Sequence, residues 1–88
     1  MKVLFEKRFL KDINAVNDKQ VKQQVEVIIS EVEKVRQLNS LNNLKKMKGH
    51  KSAYRIRIGN YRLGFFYENQ TVIFTRLLDR KDIYKYFP

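Results

Sequence analysis

The apolar residues of this chain change their spacing near its middle, and that change limits the possible folds. In the first half they recur at the three- and four-residue spacing of an α-helix. This stripe consists of Val21, Val25, Ile28, Val32 and Val35. From Ala53 onward apolar and polar residues alternate, which is typical of half-buried strands. Helices that are followed by strands indicate an α+β fold, in which the helices pack on one face of a sheet.

Two helices are expected after a short opening strand at residues 2–6. Helical spacing predicts the first helix at about 7–16, and the valine stripe predicts the second at about 18–38. Residues 17–20 (NDKQ) supply an N-cap residue and a glutamine three positions later, which is the signature of a capping box. We therefore predict an N-terminal helical hairpin that packs on a small antiparallel sheet, in a single domain of residues 1–88.

A basic connection is expected between the helices and the strand hairpin. Residues 39–43 (NSLNN) are polar and turn-prone, and they end the second helix. Residues 44–53 are predicted to form a short strand and a loop. The loop region contains Lys45, Lys46, Lys48, Gly49, His50 and Lys51. This loop either follows a phosphate backbone or is a solvated basic connection, and the sequence favours neither.

The stretch YRIRIGNYRL, residues 54–63, has the form of a β-hairpin with a two-residue turn at Gly59-Asn60. The predicted cross-strand pairs are Ile58–Tyr61, Arg57–Arg62, Ile56–Leu63 and Arg55–Gly64. One face of this hairpin is apolar and suits the helices, while the other face carries three arginines. Gly64 leaves a gap beside Arg55.

Arg57 and Arg62 are thereby placed on opposite strands, where like charges repel each other. An anion-binding surface would explain the arrangement, because guanidinium groups bind phosphate oxygens bidentately and keep their charge. In water the repulsion is small, on the order of 1 kcal/mol or less. A solvated arginine face therefore remains the alternative.

Arg76 lies on a third predicted strand at residues 71–78, which a basic aromatic tail follows at 79–88. A three-residue loop at 68–70 would place Arg76 opposite Arg62. A two-residue loop would turn it toward the helices, and the sequence leaves both open. If the tail is helical, Arg80 and Tyr84 share one of its faces.

The net charge of +10 on a chain of 88 residues indicates polyanionic partners, namely nucleic acid, the ribosome or an acidic protein. The chain has no cysteine and one histidine, which exclude a disulfide, a cysteine metal site and a two-histidine ribonuclease mechanism. No apolar run approaches the roughly 20 residues of a membrane span, and charges at positions 6, 7 and 8 exclude a signal-peptide core. We expect a soluble, cytoplasmic protein without membrane contacts.

The ordered combination of YRIRIGNYRL, an apolar strand and DRKDIYKYF resembles the RelE/ParE superfamily of toxins from bacterial type II toxin–antitoxin pairs. The resemblance covers nearly the whole chain and implies the RelE-like microbial ribonuclease-type fold with a basic concave face. RelE-like members cleave messenger RNA in the ribosomal A site, whereas ParE-like members poison DNA gyrase. The resemblance implies the ribosome, mRNA and an acidic antitoxin as partners, operator DNA only through the antitoxin complex, and no metal or cofactor.

The resemblance also suggests roles for individual residues in a RelE-like ribonuclease. The implied catalytic residues are Arg57, Arg62, Arg80 and Tyr84. Those implied to bind RNA are Arg55, Lys48, Lys51 and Arg76. Arg62 and Arg80 would stabilise the phosphate and the transition state, Tyr84 would stack on or orient the nucleotide, and Arg55 with Arg57 would clamp the backbone. Alternatively, Tyr84 would only pack the tail against the sheet.

The general base stays unassigned, because this chain departs from the RelE pattern at two positions. Arg57 replaces a lysine, and arginine is a poor base at neutral pH. Asp79 stands where several relatives have histidine. The remaining candidates are His50, Lys51 and Asp79. A ParE-like gyrase poison, or a catalytically weak relative that acts with its antitoxin as a repressor, remain the alternatives.

Overall fold

A sheet of five strands forms the centre of the protein. The structure is a computed structural model that describes all 88 residues. The strands are β1 (Lys2–Phe5), β2 (Leu44–Lys46), β3 (Ala53–Ile58), β4 (Tyr61–Glu68) and β5 (Thr71–Asp79). Their order across the sheet is β1-β5-β4-β3-β2. The helices are α1 (Lys7–Ala15), α2 (Lys19–Lys34) and α3 (Ile83–Tyr86), with a single 3-10 turn at Leu38–Ser40. None of the helices is long and apolar enough to cross a bilayer.

The first strand corrects the prediction of a purely antiparallel sheet. β1 precedes both long helices and runs parallel to β5, with Lys2 opposite Thr71 and Phe5 opposite Phe74. The sheet is therefore mixed, and the opening strand expected at residues 2–6 joins it ahead of the helical hairpin. Parallel pairing needs a long connection between the two strands, and here α1, α2 and three strands lie between them. Local sequence patterns indicate a strand at this position but not its partner.

The two long helices occur where the apolar spacing predicts them, with two differences. The N-cap of α2 is Asp18, whose carboxylate accepts hydrogen bonds from the amides of Gln20 and Val21. The cap thus lies one residue later than the capping-box spacing requires. The helix also ends at Lys34 rather than near residue 38. The amino group of Met1 donates to the carbonyls of Val32, Glu33 and Val35 at this end, where a positive charge is favourable.

The main core lies between the long helices and one face of the sheet. The helices contribute Phe9, Val21, Val25 and Val32. The strands contribute Ile56, Ile58, Leu63, Phe65, Val72, Phe74 and Leu77. Three of the predicted stripe residues are buried, and Ile28 and Val35 pack against this core while remaining partly exposed. Helical periodicity therefore identified the buried face of α2 correctly.

A second, smaller core covers part of the opposite face of the sheet, the face on which the sequence places the hairpin arginines. Ile83 and Phe87, from the C-terminal tail, are buried there against Met47 and Ala53. Phe66 and Leu78 pack against this cluster from the sheet. The tail is thus fixed to the sheet by apolar contacts, which gives the short α3 a defined place.

Gly64 allows this docking because its missing side chain leaves room for the ring of Phe87. A Cβ atom built at Gly64 would lie 2.7 Å from the nearest Phe87 ring atom. The gap predicted beside Arg55 is therefore occupied by an aromatic side chain of the tail.

We expect Gly64→Ala to destabilise the protein by about 1–3 kcal/mol, the usual cost of overpacking. An alanine would otherwise be favourable in a strand interior, since it reduces the backbone entropy lost on folding. Urea unfolding followed by circular dichroism measures the effect. In a Phe87→Ala background the same glycine substitution should cost nothing, because the clashing ring is gone. An equal cost in both backgrounds would contradict the packing explanation.

Candidate nucleic-acid interface

The β3–β4 hairpin has the predicted register throughout. Ile58 pairs with Tyr61, and Arg57 pairs with Arg62. Gly59 forms the turn with a positive φ of 56°, a backbone conformation that glycine adopts without strain. Arg57 and Arg62 are therefore cross-strand neighbours near the tip of the hairpin.

Neutral acceptors hold the side chains of these arginines. Arg62 Nη1 donates to the carbonyls of Gly59 and Tyr61, each at 2.9 Å. Asn43 accepts hydrogen bonds from both Arg57 and Arg55. Arg57 Nη2 donates to its Oδ1 at 3.3 Å, and Arg55 Nη1 donates to its backbone carbonyl at 3.0 Å. Neither of the two ion pairs in the structure involves Arg55, Arg57 or Arg62. The hairpin arginines are thus positioned without being neutralised.

Arg80 joins this group through a backbone contact with the hairpin turn. Its amide donates to the carbonyl of Asn60 at 2.8 Å, and its exposed side chain lies in the same groove as Arg57 and Arg62. Arg80 precedes α3, which begins at Ile83. Arg80 lies outside the helix, so the condition under which Arg80 and Tyr84 would share a helical face is not met. Both residues nevertheless lie near Arg62.

The electrostatic environment of Arg62 shows that the site is a concentration of positive charge. Burial lowers the pKa of the Arg62 guanidinium, and the nearby cations Arg55, Arg57 and Arg80 lower it further, while Tyr84 raises it. The group still keeps its proton at neutral pH, because the ordinary pKa of arginine lies far above 7. An anion bound among these groups would relieve their mutual repulsion.

The side chain of Tyr84 points to solvent, while other residues of the C-terminal tail anchor that tail to the sheet. Its side chain is 60 % exposed, whereas Ile83 and Phe87 of the same tail are buried. The alternative that Tyr84 packs the tail against the sheet is therefore wrong. Tyr84 lines a pocket of about 440 Å³ together with Lys48 and His50. The predicted basic loop and the predicted aromatic thus lie side by side.

Arg76 is placed differently from the other predicted site residues. The β4–β5 loop has two residues, Asn69 and Gln70, both with positive φ, and a bulge brings Arg76 opposite Gly64. Its guanidinium is bound by Asp12 of α1 at 2.7 and 3.2 Å, a hydrogen-bonded pair that raises the pKa of Arg76. Arg76 therefore has a structural partner on a helix, and its charge is compensated.

The three candidate bases differ in their surroundings. His50 is exposed and lies in the pocket of Tyr84, and Lys51 lies further along the same loop. Asp79 Oδ1 accepts a hydrogen bond from the amide of Lys81 at 3.0 Å, so this carboxylate stabilises the turn before α3. No group of three histidine or carboxylate side chains has the placement needed to hold a metal ion.

A groove of about 1010 Å³ borders the arginines, and sequence reasoning did not predict it. We call it the arginine–glutamine groove. On the α2 side it is lined by Gln20, Gln23, Gln24, Val27 and Ile28. On the hairpin side it is lined by Arg57, Arg62 and Arg80, with Asn43, Ile58, Gly59 and Asn60. The helical spacing of the three glutamines was visible in the sequence, but only the tertiary structure places them opposite the arginines.

Comparisons with known proteins agree with this architecture. Residues 3–84 match the family described as ParE toxin of type II toxin–antitoxin system, parDE. The chain is 46 % identical over 89 residues to Toxin RelE3 of Methanocaldococcus jannaschii, with all of both chains covered. It also resembles the toxin of the RelB–RelE antitoxin–toxin complex from Methanococcus jannaschii, at 42 % identity and a TM-score of 0.83, covering 97 % of this chain and 99 % of that one.

A more distant solved relative shares the fold. The archaeal RelE–RelB complex from Pyrococcus horikoshii OT3 matches at 18 % identity and a TM-score of 0.71, covering 90 % of this chain and 93 % of the other. The family match over nearly the whole chain and the full-length relative together establish its membership. The chain belongs to the RelE/ParE superfamily of toxins from type II toxin–antitoxin systems.

Proposed function

We propose that this toxin is an endoribonuclease that cleaves messenger RNA in the ribosomal A site without a metal ion. The observation that carries the proposal is the group of uncompensated arginines around Arg62, beside the exposed ring of Tyr84. Phosphate needs cationic, fork-shaped donors, and a splayed base needs an aromatic surface. Both are present on one face of the protein.

The proposed reaction is an internal transesterification. The 2′-hydroxyl oxygen of the RNA attacks the adjacent phosphorus, the bond to the 5′-oxygen breaks, and a 2′,3′-cyclic phosphate and a 5′-hydroxyl result. Arg62 and Arg80 stabilise the charge that develops on the phosphorane oxygens, because preorganised donors act most strongly where charge appears. Arg57 and Arg55 hold the backbone, and Tyr84 positions the nucleotide. Lys48 and Lys51 bind flanking phosphates.

Proton transfer is the step with the fewest candidates. The 2′-hydroxyl must lose a proton and the leaving 5′-oxygen must gain one. His50 is exposed in the same pocket as Tyr84 and Lys48, and Lys51 and Asp79 are the other candidates.

We further propose that an acidic antitoxin neutralises this toxin in the cytoplasm. A net charge of +10 favours an acidic partner. The similar RelE of Methanococcus jannaschii was solved as an antitoxin–toxin complex with RelB, which supports the same kind of partner here. Contact with operator DNA would then occur only through the antitoxin.

A gyrase poison is the second candidate function, and the match to the ParE toxin family favours it. The two activities predict different damage in the cell. A ribonuclease leaves cuts in translated messages, whereas a gyrase poison leaves double-strand breaks in DNA.

Expression from a tightly controlled promoter tests the proposal. We expect cuts at codon-related positions in translated messages when transcript 5′ ends are mapped, and no cuts in the same messages when their start codons are removed. A supercoiling assay with purified gyrase runs in parallel. Blocked growth with intact messages would refute the ribonuclease proposal, and inhibited gyrase would replace it with the second candidate.

A further inference from the structure

We propose that the arginine–glutamine groove binds a purine base, preferably adenine, of the RNA strand beside the phosphate that the arginines hold. This inference rests on the proposed ribonuclease function and adds a base-reading site to it. None of the residues that line the groove is acidic. Asp18 lines the adjoining pocket with Gln20, Gln24, Gly59 and Asn60, and its carboxylate there accepts hydrogen bonds from the amides of Gln20 and Val21.

The α2 wall of the groove combines amide groups with an apolar surface. Gln20, Gln24 and Val27 lie on successive turns of one face of the helix, since residues three or four apart share a face. Val27 is 57 % exposed, which is high for an apolar side chain. An exposed apolar group beside two carboxamides matches a base, which has an apolar plane and a polar edge.

The glutamine side chains are free to bind. Gln20, Gln23 and Gln24 are all exposed, and their side-chain amides make no hydrogen bond to the rest of the protein. Each amide offers a donor and an acceptor a short distance apart. The equivalent pair on adenine, N6–H and N7, is the partner that glutamine and asparagine side chains bind bidentately.

The wall opposite α2 is the reason to expect a base, rather than another phosphate, against the helix. Arg57, Arg62 and Arg80 occupy that wall, and their guanidinium groups suit the anionic backbone. A strand that lies with its phosphates on the arginines can direct a base across the groove toward α2. Recognition of unpaired bases in this way is the usual mode of sequence-specific RNA binding.

The test uses the full-length toxin and fluorescently labelled hexanucleotides of adenine or uracil, with 2′-O-methyl groups that block cleavage. We expect the adenine hexamer to bind at least about fivefold more tightly than the uracil hexamer, given the energy of one bidentate base contact. Gln20→Leu and Gln24→Leu should each reduce adenine binding toward the uracil level and leave uracil binding unchanged. Gln37→Leu is the matched control, because Gln37 is exposed but lies outside the groove.

Several results would overturn the inference. Equal binding of both hexamers by the unaltered toxin would show that the groove does not distinguish the bases. If the glutamine variants lost binding to both hexamers equally, the glutamines would contact only the RNA backbone. If the glutamine variants bound RNA normally but bound the antitoxin more weakly, the groove would be a binding site for a peptide. If mapped messages are cut but neither hexamer preference nor variant effect is seen, this inference fails while the ribonuclease function stands.

Discussion

Arg62→Ala is expected to lower the rate of mRNA cleavage by about 100- to 1000-fold, the usual effect of removing a donor that stabilises a transition-state charge. Arg62 is at the centre of the cluster, since Arg55, Arg57, Arg80 and Tyr84 all influence its pKa. Its guanidinium is held by carbonyls rather than by a carboxylate, so its full charge is available to phosphate. Cleavage in a reconstituted translation reaction, measured by primer extension, gives the rate.

Two variants make this result specific. Arg36→Ala removes an equally basic residue that is exposed and lies outside the site, and it should retain the activity of the unaltered toxin. Arg62→Lys keeps the charge but loses the bidentate geometry, and we expect partial activity. Thermal unfolding of Arg62→Ala checks that the hairpin turn survives the loss of its two side-chain hydrogen bonds. Full activity in a folded Arg62→Ala protein would exclude Arg62 from the chemistry.

Tyr84→Ala is expected to reduce cleavage about 5- to 150-fold, since stacking of a base on an aromatic ring contributes about 1–3 kcal/mol. The free energy of unfolding should change little, because Ile83 and Phe87, and not Tyr84, hold the tail in place. Rates in the translation reaction and urea unfolding separate the two effects.

The same helix provides a control for Tyr84. Tyr86 is 59 % exposed, nearly the same as Tyr84, but it does not line the pocket with Lys48 and His50. Tyr86→Ala should therefore leave cleavage unchanged. Tyr84→Phe distinguishes two roles, because it preserves stacking and removes the hydroxyl group. Equal losses in the Tyr84 and Tyr86 alanine variants would mean that the helix, and not the individual ring, is what matters.

The docking of the tail is what brings the parts of the site together. The apolar contacts of Ile83 and Phe87 place Tyr84 beside the lysine loop, and the bond from Arg80 to Asn60 places Arg80 beside the hairpin tip. Two of the catalytic candidates, Arg80 and Tyr84, therefore depend on a small core that contains no arginine. Gly64 belongs to that arrangement, since any side chain there would displace Phe87.

Some of the site could be predicted from the sequence because its geometry is local. A two-residue turn sets the hairpin register. Because side chains alternate along a strand, the register also determines which residues share a face. The predicted pairing of Arg57 with Arg62 is therefore confirmed. Helical spacing likewise identified the buried stripe of α2, which includes Val21, Val25 and Val32.

The tertiary structure alone decided which distant segments meet. β1 joins β5 in parallel, Asp12 binds Arg76, and the glutamines of α2 lie opposite the hairpin arginines. Each contact joins residues far apart in the chain, and no local turn or period specifies them. The sequence by itself therefore determined an α+β protein with an arginine hairpin. The packing of the chain's terminal segments, driven by burial of apolar surface rather than by local propensity, decided how that hairpin became part of the candidate site.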